Sequence, residues 1–348
     1  MMRVRLNLHH TLSACLASIL MLSTSLQAEP ATKEQASARP TPTEYARGVS
    51  KFINEMSTKH GFEKQSLAEL MSKASYSQRV VDSMNSPYEA KPWHVYQPLF
   101  VTDERIKGGV EFWNKHADIL KKAEEKYGVP PQIIVATIGV ETKYGRFMGD
   151  HLVLDALTTL AFTYPKRQRM FRKQLESYIL LLSEEDIDPE KTHGSYAGAI
   201  GKPQFMPGSY RAYAVDFNGD GRRDLLNNTA DAIGSVANYY HTHGWRKGEL
   251  VTLPARAEGG YYQQHLNKWL KPTTTIAELR KAGIEATQQL PVHTRCNLVQ
   301  LDAGKEMELW LGFHNFYVIT RYNTNNQYAM AVYQLSQKIL EHRKAEKI

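Results

Sequence analysis

Val129-Pro-Pro-Gln-Ile-Ile-Val-Ala-Thr-Ile-Gly-Val-Glu141-Thr-Lys-Tyr-Gly145 reads as a helix that is apolar on every side and closes on a single carboxylate. Pro130 and Pro131 suit the first turn, where a missing N–H costs no hydrogen bond. Gly145 suits the left-handed position just past the last turn. Ile133, Ile134, Val135, Ile138 and Val140 leave no polar face, so the helix is expected inside the protein. A carboxylate held at its end is desolvated, which raises its pKa and favours a neutral acid near pH 7. Glu141 therefore suits a general acid of the kind that protonates a leaving glycosidic oxygen. The competing reading is a structural glutamate paired with Arg146 or with a backbone amide.

Helical patterns surround this segment. Upstream they fall near 44–58, 66–74 and 76–84, after which Pro87, Pro92 and Pro98 are expected to break the chain into loop. Thr102 is a candidate N-cap, with Asp103 and Glu104 at the positive end of the helix dipole. Ile106, Val110, Trp113, Ala117, Leu120 and Tyr127 then form one apolar stripe of a single helix that Gly128 stops. Downstream, helices are expected over 152–162, 167–184 and 229–243. Residues 250–321 read as short strands with one helix near 275–282. Met307–Phe313 and Phe316–Arg321 alternate like paired strands, with a turn at Gly312-Phe-His-Asn. A last helix is expected over 326–343. The fold class is mainly α (α+β), with a small β lobe inserted late.

Two loops carry further chemistry. Asp216-Phe-Asn218-Gly-Asp220-Gly221-Arg222-Arg-Asp224 places oxygen ligands at every second position and glycine at the sixth, the first half of an EF-hand calcium loop. The twelfth position, normally a bidentate glutamate, is Asn227; Asp231 or Asp224 is available instead. Calcium is the expected ion, in a structural role, with the Arg222 carbonyl as a further ligand; a hydrated Asx-rich turn is the alternative. The second loop, His193 to Pro207, is rich in glycine and alanine, which lets a backbone approach a ligand closely. Gln204 and Phe205 follow it and suit sugar binding by amide hydrogen bonding and ring stacking; Met206 suits the core. His241 and His243 do not share a helix face, so a solvated or capping role is expected for both. There is no zinc motif, nucleophile elbow or phosphate loop, and no organic cofactor is implied.

The chain has 348 residues, 42% hydrophobic and 23% charged, with a formal charge of +7. Its start differs from the rest. Arg3 and Arg5 precede an apolar run from Thr11 to Leu22 that ends at Ser-Thr-Ser-Leu-Gln-Ala28, as in a secretory leader cleaved after Ala28. Leu12-Ser-Ala-Cys15 offers a competing lipoprotein-type site. Residues 29–43 are small, polar and proline-rich and read as a tether. With the leader gone, Cys296 is the only cysteine and is expected to be a passive thiol. The mature charge near +5 suits an anionic envelope partner. Without a basic stretch interleaved with aromatics, nucleic acid is not an expected partner, and nothing in the chain calls for an oligomer, so a monomer is expected.

In chain order, Gly-Val-Glu141-Thr-Lys-Tyr-Gly, Gly-Ser195-Tyr-Ala-Gly-Ala-Ile-Gly, Gln204-Phe-Met-Pro, Asp216-Phe-Asn-Gly-Asp-Gly, Asp231-Ala-Ile-Gly-Ser-Val-Ala-Asn-Tyr239 and Thr320-Arg-Tyr322-Asn323 resemble the bacterial lytic murein transglycosylases of the B type. The resemblance covers residues 44 to 343. It implies a catalytic region over 44–348, with a lysozyme-like core at 128–245 that contains the loop 216–231, an α lobe and a β lobe at 250–321. It also implies peptidoglycan as substrate, and Glu141 as the single acid that then acts as base to leave a 1,6-anhydro end. Ser195, Gln204, Phe205, Tyr239, Tyr322 and Asn323 would line the groove, with Arg167 at an edge where the peptide stem or the muramoyl carboxylate would lie. Asp216, Asn218, Asp220, Arg222 and Asp231 would hold calcium. The leader implies a periplasmic location, with an outer-membrane lipoprotein through Cys15 as the alternative; expected partners are glycan strands and wall-synthesis or remodelling proteins. A hydrolytic muramidase and a wall-binding protein without activity are the competing functions.

Overall fold

The computed structural model describes residues 41–85, 91–185, 187–266 and 270–346. The expected leader, Cys15 and all but the end of the expected tether lie outside the described residues. Pro42 and Thr43 belong to the first helix, α1 (Pro42–His60). Its N-terminus is set by a reciprocal box: Glu44 N–H donates to the Thr41 hydroxyl and Thr41 N–H to the Glu44 carboxylate. Two short helices follow, α2 (Lys64–Ser72) and α3 (Gln78–Met84).

The segment expected as proline-broken loop contains a helix, α4 (Trp93–Phe100). Pro92 stands at its N-cap and Pro98 removes one bond only two residues from its end. Tyr96 stacks on Trp93 at 6.3 Å and packs against Phe100 in a tilted pair at 4.8 Å, contacts that support the helix. The single helix expected from Asp103 is two, α5 (Asp103–Lys115) and α6 (Ala117–Tyr127). His116 leaves helical geometry at φ −117, ψ 27, yet its N–H reaches Phe112 and its carbonyl accepts from Leu120. The ladder is almost continuous, so the break needs no glycine or proline.

The central helix α7 (Pro131–Thr142) has every residue from Ile133 to Val140 buried. Burying each large aliphatic side chain contributes about 1.5–3 kcal/mol, which fixes the axis of the element that carries Glu141. Beyond it lie β1 (His151–Leu152), α8 (Val153–Thr163), α9 (Gln168–Glu184), β2 (His193–Gly194), α10 (Pro207–Tyr213) and α11 (Thr229–Thr242). β1 and β2 pair antiparallel.

The β lobe contains β3 (Thr252–Ala257), β4 (Thr274–Thr275), α12 (Ile276–Lys281), β5 (Ile284–Ala286), β6 (Arg295–Asp302) and β7 (Met307–Gly312). These strands form one antiparallel sheet in the order β4-β6-β7-β3-β5. β6 is buried on both faces: Cys296 and Leu298 join a small core with Ile276, Leu279 and Phe313, while Val299 and Leu301 join the main core. Burial pushes the Cys296 thiol up to about 12, so it stays protonated and inert.

The strand expected at Phe316–Arg321 is instead a helix, α13 (His314–Thr320). Asn315 decides this from a distance. Its side-chain amide donates to the carbonyls of Arg246 and Glu249 and its oxygen accepts the Arg246 N–H. Phe316, Val318 and Ile319 then bury into the main core, so tertiary packing overrides β-branched preference. The expected turn at 312–315 is therefore the end of β7 and the start of this helix. The last helix, α14 (Asn326–Ala345), lies against α7, α5 and α4 and brings Tyr328 towards Glu141.

Candidate active site

Glu141 sits in the last turn of α7, half-buried, with its carboxylate at the edge of a tyrosine cluster. Tyr328 Oη donates to Glu141 Oε1 at 2.5 Å. The Tyr328 ring lies parallel to Tyr322, 6.3 Å away at 13°. Tyr322 packs in turn on Tyr239 at 4.8 Å, on Tyr240 at 5.6 Å and on Phe205 at 5.7 Å. Burial, and then the charge of Glu141, push the hydroxyls of Tyr322 and Tyr328 well up, so both remain protonated donors. Arg146, one partner offered by the competing structural reading, pairs with Glu104 at 3.9 Å.

Hydroxyl directions give the cluster its shape. Tyr239 Oη donates to the Arg321 carbonyl and Tyr322 Oη to the Pro203 carbonyl, both at 2.5 Å. Tyr240 Oη meets Thr137 Oγ1 at 2.8 Å. His243 caps α11 by donating from Nδ1 to the Tyr239 carbonyl, and its ring stacks on Tyr239 at 4.1 Å.

The glycine-rich loop adjoins this cluster. Ser195 Oγ accepts the N–H groups of Ala197 and Ala199, and Ile200 and Phe205 exchange backbone hydrogen bonds. Gln204 has a left-handed backbone, φ +51, and its amide donates to the carbonyls of Met148 and Gly201 at 3.0 Å. Thr142, beside Glu141, donates to the Lys202 carbonyl at 2.8 Å, which ties the loop to the end of α7.

Of the residues singled out from the sequence, Phe205, Tyr239 and Tyr322 are joined to Glu141 through Tyr328. Phe205, however, is only 2% exposed, while Met206 is half-exposed. This corrects the expected role of Phe205, which is core and shapes the cluster from beneath without offering a face to a sugar; Met206 packs against the main core, as expected. Asn323 follows Tyr322 and is half-buried. Arg167 is exposed at the end of a 3-10 turn, Pro165–Arg167. Tyr328 was not singled out as a site residue, because no local pattern separates it from the other tyrosines.

The acidic loop folds around its own backbone. Asp216 accepts the N–H groups of Gly219, Asp220 and Gly221. Asp231, fully buried, accepts those of Phe217, Asn218 and Asp224. Burial pushes the Asp231 carboxyl up, against those amides. Oxygens of Asp216, Asp220 and Asp231 lie within 4.8 Å of one another. Asn218 touches Asp220 through its amide, at 2.8 Å. Asp224, the other candidate for the twelfth position, accepts the N–H groups of Leu226 and Asn227 and the Asn227 side-chain amide.

The sequence profile of the transglycosylase SLT domain matches residues 44–337. The membrane-bound lytic murein transglycosylase B of Escherichia coli K12 is 44% identical over 301 residues, 84% of this chain and 82% of that protein. The chain belongs to the lytic murein transglycosylases. Among solved structures, the catenated lytic transglycosylase SltB1 of Pseudomonas aeruginosa matches this transglycosylase with a TM-score of 0.81 at 44% identity, covering 87% of this chain and 99% of that one. The Escherichia coli lytic transglycosylase Slt35, solved in complex with calcium, gives 0.78 at 44% identity over 85% and 93% of the two chains. The fold is therefore lysozyme-like with a small sheet, and the transglycosylase cleaves peptidoglycan without consuming water.

Proposed function

We propose that Glu141 alone serves as acid and then base in this cleavage. Its proton passes to the glycosidic oxygen between N-acetylmuramic acid and N-acetylglucosamine, the C–O bond breaks, and the sugar departs as an alcohol. The Glu141 carboxylate then takes the proton of the C6 hydroxyl on the muramic residue, whose oxygen bonds to C1 and closes a 1,6-anhydro ring. No water enters and the carboxyl ends protonated as it began. The observation that carries this reading is the setting of Glu141: the end of a buried apolar helix, with a tyrosine hydroxyl on one carboxylate oxygen. The acids that follow it in sequence are engaged elsewhere, Asp150 with Arg79 at 2.6 Å and Asp155 with the Ser75 N–H. A water-activating second carboxylate, which an ordinary glycosidase needs, is not supplied by either.

Ser195, Gln204, Tyr322 and Asn323 line the sugar groove in this reading, with Phe205 and Tyr239 behind them and Arg167 at an outer edge. Calcium is held by Asp216, Asn218, Asp220, the Arg222 carbonyl and Asp231. The donor set is all oxygen and carries three carboxylates, as a hard divalent cation requires. The ion would neutralise these acids and brace the loop that leads into α11. The catalytic region spans 44–348, with its core at 128–245 and the β lobe at 250–321, acting in the periplasm as a monomer beside wall-building proteins. Among the described residues no helix is long and apolar enough to cross a membrane.

The test is digestion of purified peptidoglycan by the mature protein and by Glu141→Gln, with the soluble fragments weighed. Anhydro ends from the parent and none from a folded Glu141→Gln are expected. Full activity in Glu141→Gln would remove Glu141 from the reaction.

A further inference from the structure

The chain just past Glu141 adopts a conformation that side chains avoid. Lys143 and Tyr144 are both left-handed, at φ +48 and +65, before Gly145 at +88. Only Gly145 does this without steric cost. The turn begins two residues earlier than the glycine requires, and its effect is to send Tyr144 back between α5 and α7.

A slot there is built from three glycines. A Cβ on Gly139 would stand 2.6 Å from Tyr144 Oη, one on Gly109 2.7 Å from the same atom and 2.5 Å from Ile339 Cδ1, and one on Gly108 3.0 Å from the ring. Glycine in the middle of a helix is unfavourable, yet α5 carries two and α7 one, all facing this ring. At the far end of the slot Tyr144 Oη donates to the Arg105 carbonyl at 2.5 Å. Arg105 Nε donates to the Gly139 carbonyl at 3.1 Å. Through one arginine α5 is thus bonded both to the α7 backbone, two positions before Glu141, and to the turn that follows α7. Phe112 closes the side of the slot, 5.5 Å from the Tyr144 ring. Burial pushes the Tyr144 hydroxyl up, so it donates throughout the working pH range.

We infer that Tyr144 is a positioning residue for the reaction: seated among Gly108, Gly109 and Gly139, it locks the last turn of α7 and with it the Glu141 carboxylate. This rests on the reading of Glu141 as the acid and base. A group that gives a proton to one oxygen and takes one from another must hold one place through both steps. Thr142 ties the turn to the glycine-rich loop on one side; Tyr144 ties it to α5 on the other. A displacement of about 1 Å at the carboxylate costs on the order of 100-fold in rate.

The experiment compares Tyr144→Phe, Tyr144→Ala, Gly139→Ala and the double variant Gly139→Ala/Tyr144→Ala with Glu141→Gln. Release of anhydro ends from soluble glycan strands gives kcat and KM, and thermal melting reports folding. Tyr144→Phe is expected to lose about 3–10-fold in kcat, and Tyr144→Ala and Gly139→Ala about 100-fold, with KM within about twofold. The double variant should be no better than Tyr144→Ala alone. If the ring merely glues two helices, the folded Tyr144 variants will keep parent kcat below their melting temperatures, and removing the ring will rescue Gly139→Ala. Either result, with Glu141→Gln inactive, overturns the role of Tyr144 alone. Activity in Glu141→Gln would instead overturn the reading beneath it.

Discussion

Tyr328 Oη and Glu141 Oε1 are 2.5 Å apart although 187 positions separate them in the chain. The contact joins the first turn of α14 to the last turn of α7. Deleting the hydroxyl in Tyr328→Phe leaves the ring stacked on Tyr322 but removes one hydrogen-bond donor from the carboxylate. Loss of a donor aimed at a reacting group costs about 100-fold in kcat, and KM should hardly move. Kinetics on soluble glycan strands check this; a Tyr328→Phe enzyme with parent kcat would mean that the hydrogen bond does not serve the reaction.

Asp216, Asp220 and Asp231 crowd three acidic groups within 4.8 Å, one of them buried. A divalent cation bound there stabilises the folded state by mass action, about 2.7 kcal/mol at a hundredfold excess over Kd. The melting temperature should rise with added calcium and fall with chelator. Asp231→Asn should melt at one temperature in both conditions. A parent protein indifferent to chelator would count against the calcium assignment.

The parts of the fold that sequence alone made legible are those set by neighbours in the chain. The all-apolar run of α7, the Thr102 cap of α5, the glycine after Tyr127 and the alternating acids of residues 216–220 each decide their own geometry locally. What stayed hidden depends on distant partners. Asn315 makes a helix of an apparent strand by gripping Arg246 and Glu249. Phe205 is core and not an open sugar platform because Tyr239 and Tyr322 cover it. The placement of Tyr328 on Glu141 follows only once α14 has docked on α7.

Gly149 and Gly194 meet where β1 pairs with β2. At Gly149, φ is +100 and a Cβ would lie 2.0 Å from the Gly194 carbonyl oxygen. That overlap is with backbone, which cannot rotate away. Gly149→Ala should therefore cost about 1–3 kcal/mol or more and disturb Ser195, the residue after β2. Denaturant unfolding measures the loss. Gly219→Ala is a useful comparison, since no atom lies within 4 Å of a Cβ there although φ is +80; it should cost less. Equal losses would show that the left-handed backbone, and not the contact, is what matters at Gly149.

His243 ties stability to pH through the same tyrosines. Burial is the largest cause holding its pKa down; Arg321 adds to it and the hydrogen bond to Tyr239 opposes it. The folded state therefore resists a proton that the unfolded chain accepts near pH 6.5. The unfolded state binds more protons in that range, so stability rises with pH. The contribution is fully present above the unfolded value and is lost as pH falls through it towards the folded one. His116 and His151 are lowered in the same sense, again mainly by burial. Asp150, held down by Arg79, titrates at lower pH and leaves this window alone. Urea midpoints should fall between about pH 7.5 and 5.5, and His243→Gln should remove part of the slope. A midpoint that rises on acidification, or a slope unchanged in His243→Gln, would show that His243 does not carry it.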